Sequence, residues 1–259
     1  MNVYYMNGAG NDFMVMDARG RENLDFSRLA VEYCRLTGAD GFMAVGEAED
    51  ADFRLHFYNA DGTRGEMCGN GARCICRFAY DQGIAGKKMV VRTDAGLVPG
   101  WRLDENRYRV RLNHPSILDL QRKGDIAYVE LGNPGVPHAV AKYEGDVWAD
   151  KEALRETMKA LRYDPAFPKG ANVNFYQVVG ENEIRMLTYE RGVEDFTLAC
   201  GTGTGSVAMV LWNQASLPGG KLIAHNPGGT LGITLTTRGA TVTAIDLEGP
   251  TETVAVYDL

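Results

Sequence analysis

Two cysteines stand out for their surroundings. Cys68 opens "CGNGARCICRFAY" and Cys200 opens "CGTGTGSVAMVLW". Each leads into Gly-x-Gly and then an apolar run of helical length. A thiol at a helix N-terminus faces backbone N–H groups that lack intrahelical partners. Those groups and the helix dipole favour the thiolate and lower its pKa. The glycines let a ligand approach the backbone and leave N–H groups for an anion such as a carboxylate. One such site could supply a nucleophile or a base. A facing thiolate and thiol could take a proton from one side of a carbon and return one on the other. That inverts a stereocentre without a cofactor.

The elements that must position these thiols come twice. Cys68 and Cys200 lie 200 − 68 = 132 residues apart in a chain of 259. At that offset Gly69 and Gly71 fall on Gly201 and Gly203, and Gln82 falls on Gln214. Upstream, "DFRLHFYNA" falls on "EIRMLTYER". "VYYMNGAGNDFMVMD" and "AYVELGNPGVPHAVAKY" each read strand, Gly-rich turn, strand. This internal echo predicts an α/β fold of two pseudo-symmetric halves. Each half is a curved, mostly antiparallel sheet wrapped round a central helix, because a helix apolar almost all round is normally buried. The active site is expected in the cleft between the halves.

Alternation and spacing predict strands at 3–6, 13–17, 41–45, 52–59, 88–94 and 107–112. A helix is predicted over 25–36, with Ser27 as its cap, and another near 151–162. The polar, Pro-containing "NHPSILDLQRKGD" (113–125) is read as the boundary, giving halves of 1–115 and 116–249.

Composition narrows the function. The net charge of −7 and the lack of a basic stripe argue against nucleic acid as a partner. No apolar stretch approaches a membrane span of about 18 residues. The N-terminus lacks a basic region and a cleavage signal. Five cysteines without a secretion signal are read as free thiols in a reducing cytoplasm.

Other chemistries fare worse. A cysteine in an apolar context is usually a small buried hydrophobe, and Cys34, Cys74 and Cys76 are read that way. The spacing of Cys68, Cys74 and Cys76 is not that of a zinc site, and no metal-ligand cluster stands out. "GNGARC" and "GTGTGS" lack the third glycine of a dinucleotide fingerprint. His56, His114, His138 and His225 are each read as surface or core residues. A Cys/His hydrolase would leave the second cysteine motif unexplained.

"GAGNDF" (8–13), "NADGTRGEMCGNGARC" (59–74), "GANVNF" (170–175) and "YERG" (189–192) before "LACGTG" (198–203) resemble the diaminopimelate epimerase family, in its order and over nearly the whole chain. The resemblance implies a cofactor-independent epimerase interconverting LL- and meso-diaminopimelate for lysine and cell-wall synthesis. It also implies a homodimer and a terminal strand, 250–259, that returns to the first half. Cys68 and Cys200 match the family's proton donor/acceptor pair. Asn11 and Asn59 match its substrate-contacting asparagines. Gly69 with Asn70, and Gly201 with Thr202, match the helix-start groups that hold the α-carboxylate. Asn172, Glu190 and Arg191 match positions lining the pocket, with the arginine facing the distal carboxylate.

Three departures bear on the substrate. "GNPGVPH" stands where many members have "GNPH", and aligns with an "NTGVPH" form that puts Asn133 and His138 in the matched places. "VEDFTLACG" is one residue longer than a common form and puts Phe196 where an acid often falls. The chain is also short between Gly96 and Gly132. Two other functions compete: a racemase for another amino acid, such as histidine, on the same scaffold, and a non-catalytic amino-acid-binding protein.

Overall fold

The structure, a computed structural model, describes residues 2–21, 23–65 and 68–258. The chain divides into two units, Met1–Arg111 with Glu248–Leu259, and Leu112–Leu247.

In the first unit β1 (Asn2–Gly8) and β2 (Asn11–Asp17) form an antiparallel hairpin. Helix α1 (Phe26–Thr37) crosses to β3 (Gly41–Gly46), which runs parallel to β2. Strand β4 (Phe53–Asn59) returns antiparallel to β3. Helix α2 (Gly69–Asp81) comes next, then β5 (Lys88–Thr93) parallel to β4. β6 (Gly96–Arg102) and β7 (Arg107–Leu112) extend the sheet antiparallel.

The second unit repeats this plan. β8 (Pro115–Lys123), β9 (Ile126–Gly132) and β10 (Gly135–Lys142) form an antiparallel meander. Helix α3 (Lys151–Arg162) crosses to β11 (Asn172–Gly180), parallel to β10. β12 (Glu183–Glu190) returns antiparallel, with the short β13 (Asp195–Thr197) beside it. Helix α4 (Gly201–Asn213) leads to β14 (Lys221–Asn226), parallel to β12, and then to β15 (Gly229–Arg238) and β16 (Thr241–Pro250). The last strand, β17 (Glu252–Asp258), pairs with β1 in the first unit.

The helices α2 and α4 are 13 residues each and start 132 positions apart, as the echo requires. α2 packs on β1, β2, β3 and β6; α4 packs on β9, β10, β11 and β15. Sheet therefore surrounds each helix, and almost every residue from Gly201 to Leu211 is buried. The outer helices bury one stripe only. α3 places Leu154, Met158 and Leu161 against Tyr128, Phe167, Phe175 and Tyr189, at about 2 kcal/mol per side chain removed from water.

One local expectation is corrected. Asp25, not Ser27, caps α1: its carboxylate accepts from the Arg28 N–H, while the Ser27 hydroxyl donates to the Gly62 carbonyl at 2.7 Å. Strand β6 escaped the sequence reading because Gly96, Pro99 and Gly100 look like breakers. The polar stretch 113–125 is largely strand β8, whose side chains are mostly half-exposed or exposed.

Candidate active site

In the first unit Cys68 is the N-cap of α2, with extended backbone (φ −105°, ψ 119°). An extended residue at this point turns the chain from loop into helix. The thiol is half-buried. Behind it Arg73 is fully buried and donates to the Gly69 carbonyl at 3.3 Å and to Asn70 Oδ1 at 2.9 Å. That leaves the Asn70 amide nitrogen to donate to Asn11 Oδ1 at 2.6 Å, and the Asn11 amide to donate to Asp40 at 3.2 Å. A guanidinium can only donate, so the chain fixes both asparagine orientations. Burial pulls Arg73 down to about 10, partly opposed by neighbouring cysteines, Cys68 among them. It still carries its charge at neutral pH, beside the Cys68 end of the helix.

The hairpin reaches the helix because residue 8 is glycine. A Cβ there would meet Cys74 Sγ at 2.7 Å and the Asn70 carbonyl at 3.0 Å. Asn59 sits apart from the Asn11–Asn70 pair in its bonding: its amide donates to Thr63 Oγ1 at 3.0 Å across its own exposed turn. The cysteines read as packing groups behave as such. Burial pushes Cys74 and Cys76 up to about 12 and Cys34 to about 11.

In the second unit Cys200 caps α4 with the same extended backbone (φ −126°, ψ 108°). Its sulfur accepts from the Gly203 N–H at 3.3 Å and lies 3.6 Å from the Thr202 hydroxyl. Thr202 Oγ1 is 3.1 Å from His138 Nε2. His138 is fully buried on β10. Burial, helped by the nearby Arg191 charge, pushes its pKa down to about 3, so the imidazole is neutral. Its Nδ1 lies 3.1 Å from the Asn174 amide nitrogen.

Glu190 is the last residue of β12, and Arg191 begins the turn beyond it. The Arg191 N–H donates to Asn172 Oδ1 at 2.8 Å and its guanidinium to the Lys169 carbonyl at 3.2 Å. The Lys169 ammonium in turn holds buried Glu130 at 2.6 Å. Asn133 is exposed in the turn between β9 and β10. Phe196 is occupied elsewhere: its ring meets Tyr189 edge-on, and Arg155 lies 4.7 Å from its centroid. Among the described residues no group of three or more His, Cys, Asp or Glu side chains could hold a metal ion.

Each unit thus presents a cysteine at the mouth of a buried helix, with glycines at the helix start and asparagines close by. The model of one family, diaminopimelate epimerase, matches residues 3–117 and 128–252. The chain belongs to the diaminopimelate epimerase family. It is 39% identical over 228 residues to the diaminopimelate epimerase of Aquifex aeolicus, covering 81% of each chain. It is 32% identical over 274 residues to that of Alkaliphilus metalliredigens, covering 96% of this chain and 94% of the relative. Among solved structures, a Bacillus anthracis PhzF-family phenazine biosynthesis protein aligns with TM-score 0.71 at 14% identity, over all of this chain and 98% of that one. A hydroxyproline epimerase from Agrobacterium vitis aligns with TM-score 0.70 at 17% identity, over all of this chain and 90% of that one. These two likenesses show the shared fold.

Sequence reasoning missed Arg73, Asn174 and Thr188. Arg73 was legible as the one charge early in an apolar helix. Asn174 had a fainter signal: in "NVNFY" it shares a strand face with Asn172, since alternate residues point the same way.

Proposed function

We propose that Cys68 and Cys200 are the acid/base pair of a cofactor-independent diaminopimelate epimerase. One thiolate removes the α-proton of LL- or meso-diaminopimelate, and the other thiol returns a proton to the opposite face. The duplicated cysteine cap carries this reading. Both thiols sit at N-caps with extended backbone, on helices of equal length and equal offset. A single nucleophile would need only one. Inversion requires one cysteine to be ionised while the other is not. The Gly203 N–H and the Thr202 hydroxyl beside Cys200 favour a sulfur that accepts hydrogen bonds.

The α-carboxylate belongs at the helix starts, on N–H groups from Gly69–Asn70 and Gly201–Thr202, where the direction of the backbone N–H groups and the helix dipole favour an anion. Removing the α-proton places charge on that carboxylate, so donors aimed there stabilise the transition state more than the ground state. Asn11, Asn59, Asn133, Asn172 and Glu190 line the substrate, and Arg191 grips the distal carboxylate. A planar guanidinium makes two parallel bonds to a carboxylate, which an ammonium cannot. The protein works as a homodimer in the cytoplasm, supplying lysine and peptidoglycan precursors.

The test is deuterium incorporation at Cα across a panel of amino acids, with Cys68→Ala and Cys200→Ala. Each variant should lose epimerisation while keeping its fold. Either variant retaining more than about a tenth of the rate, a barrier change under about 1.4 kcal/mol, would rule out two-base inversion. Histidine exchanging far faster than diaminopimelate would overturn the substrate and leave the two cysteines standing.

A further inference from the structure

Behind His138 lies a fully buried asparagine to which neither the resemblance nor the proton transfer gives a role. Asn174 is wholly shielded from solvent on β11. Its amide nitrogen is surrounded by three atoms: the Asn172 carbonyl at 3.0 Å, the Ala139 carbonyl at 3.2 Å and His138 Nδ1 at 3.1 Å. Its oxygen accepts from the Thr188 hydroxyl at 3.0 Å.

We propose that Asn174 is a positioning residue that sets the proton direction of a hydrogen-bond chain ending on Cys200.

Donor and acceptor chemistry fixes each link. Two backbone carbonyls can only accept. An amide oxygen turned toward them would face two other oxygens at hydrogen-bond distance, so the NH2 group must point that way. Thr188 donates to the oxygen on the far side and secures the same orientation. The NH2 group has two hydrogens to share among these three neighbours and cannot accept a hydrogen bond. A proton on Nδ1 would crowd it and find no acceptor there, so Nδ1 carries the lone pair. A neutral imidazole has one N–H, and it must be on Nε2. That N–H donates to Thr202 Oγ1. The Thr202 hydroxyl hydrogen is left for the Cys200 sulfur 3.6 Å away. Every link is oriented from the buried end, and the sulfur receives a hydrogen bond instead of giving one. Hydrogen bonds to the charged form of a group favour that form, so Asn174 biases Cys200 toward thiolate through two intermediaries it does not replace.

Gly203 belongs to the same device. A Cβ there would lie 2.3 Å from Asn174 Oδ1 and 3.1 Å from Cys200 Sγ. The bare backbone lets the asparagine and the cysteine meet across one residue.

This inference rests on Cys200 being an acid/base group, so its readouts are chosen to be independent of turnover. The first is the imidazole 15N NMR spectrum of histidine-labelled wild-type protein, assigned with His138→Gln. His138 should show the Nε2–H tautomer at neutral pH. In Asn174→Asp, which keeps the shape but places an acceptor against Nδ1, a proton should appear on Nδ1. The second readout is the pH profile of iodoacetamide alkylation of Cys200, measured in the Cys68→Ala background by mass spectrometry. Asn174→Leu should raise the apparent thiol pKa by about one unit, slowing alkylation below it about 10-fold. An Nδ1–H or doubly protonated His138 in the wild type overturns the proposal. So does an Asn174→Leu profile that overlays the parent. Should neither variant fold, the wild-type tautomer alone decides. A protein that passes these tests yet fails to exchange an α-proton refutes the epimerase reading and not this one.

Discussion

Gly203→Ala measures how tightly the Cys200 site is built. In an ordinary helix position alanine is favoured over glycine by about 1 kcal/mol. The φ of residue 203 is not in the left-handed region, so backbone strain does not oppose the change. The obstacle is Asn174. The new Cβ would sit 2.3 Å from its oxygen, where ordinary contact begins near 3.4 Å. Asn174 cannot step aside without giving up its bonds to Thr188, His138 and two carbonyls. Each neutral bond contributes about 1 kcal/mol, and each buried group left unpaired costs about 1–3 kcal/mol. Leaving two groups unpaired costs about 2–6 kcal/mol, and recovering the propensity gain of about 1 leaves a net destabilisation of about 1–5 kcal/mol. For a chain this size that lowers Tm by roughly 2–20 °C. Activity should fall further, because a displaced Asn174 frees His138 and Thr202. Removing a hydrogen bond to a charged sulfur, worth about 1.5–3 kcal/mol, slows turnover roughly 10- to 150-fold.

The matched glycine in the first helix is the control. A Cβ on Gly71 meets Met43 Sδ at 3.2 Å and the edge of the Phe13 ring at 3.4 Å. A thioether is adaptable, so Gly71→Ala should be neutral or slightly stabilising. Thermal unfolding by circular dichroism and the α-proton exchange assay read both variants. If Gly203→Ala melts with wild type and keeps its rate, or if Gly71→Ala loses as much stability, the account of the Cys200 site is wrong.

Iodoacetamide at neutral pH should label Cys68 first, since it is half-buried while Cys34, Cys74 and Cys76 are buried with pKa values pushed to about 11–12; peptide mapping that finds early label on those three contradicts the assignment. Activity should fall with Cys68 labelling and survive exhaustive chelation, and restoration by added metal would count against cofactor independence. Arg191→Lys should lower kcat/KM for diaminopimelate about 10- to 150-fold, from about 1.5–3 kcal/mol of charged hydrogen bonding; an equal loss on a substrate lacking the distal carboxylate would refute the role. His138 supplies a pH signature. Its folded pKa is held near 3 while an unfolded imidazole titrates near 6.5, so its contribution is full above 6.5 and is lost as pH falls toward 3. Urea melts should show wild type losing stability faster than His138→Gln across that window, and parallel curves would refute it.

The two cysteine helices were legible because their signal is local: glycine spacing, an apolar run and an echo at half the chain. The hairpin before each helix was legible for the same reason. Strand β6 was not, since its glycines and proline look like breakers even though its neighbours supply the ladder. The relay behind Cys200 was hidden for a deeper reason. Its members come from β10, β11, β12 and α4, and what unites them is register. β10 runs beside β11 with Val140 opposite Asn174, two residues past His138. β11 in turn sets Asn174 directly opposite Thr188 on β12. A slip of one residue in either ladder would turn these side chains to the other face. No stretch of sequence around position 174 encodes that alignment. It follows from the buried apolar partners along the same strands, Val173 and Phe175 on one and Leu187 and Tyr189 on the other. Packing of the hydrophobic face thus fixes where the polar face can act. Cys200 could be read from its helix, whereas the groups that orient it could be read only from the sheet.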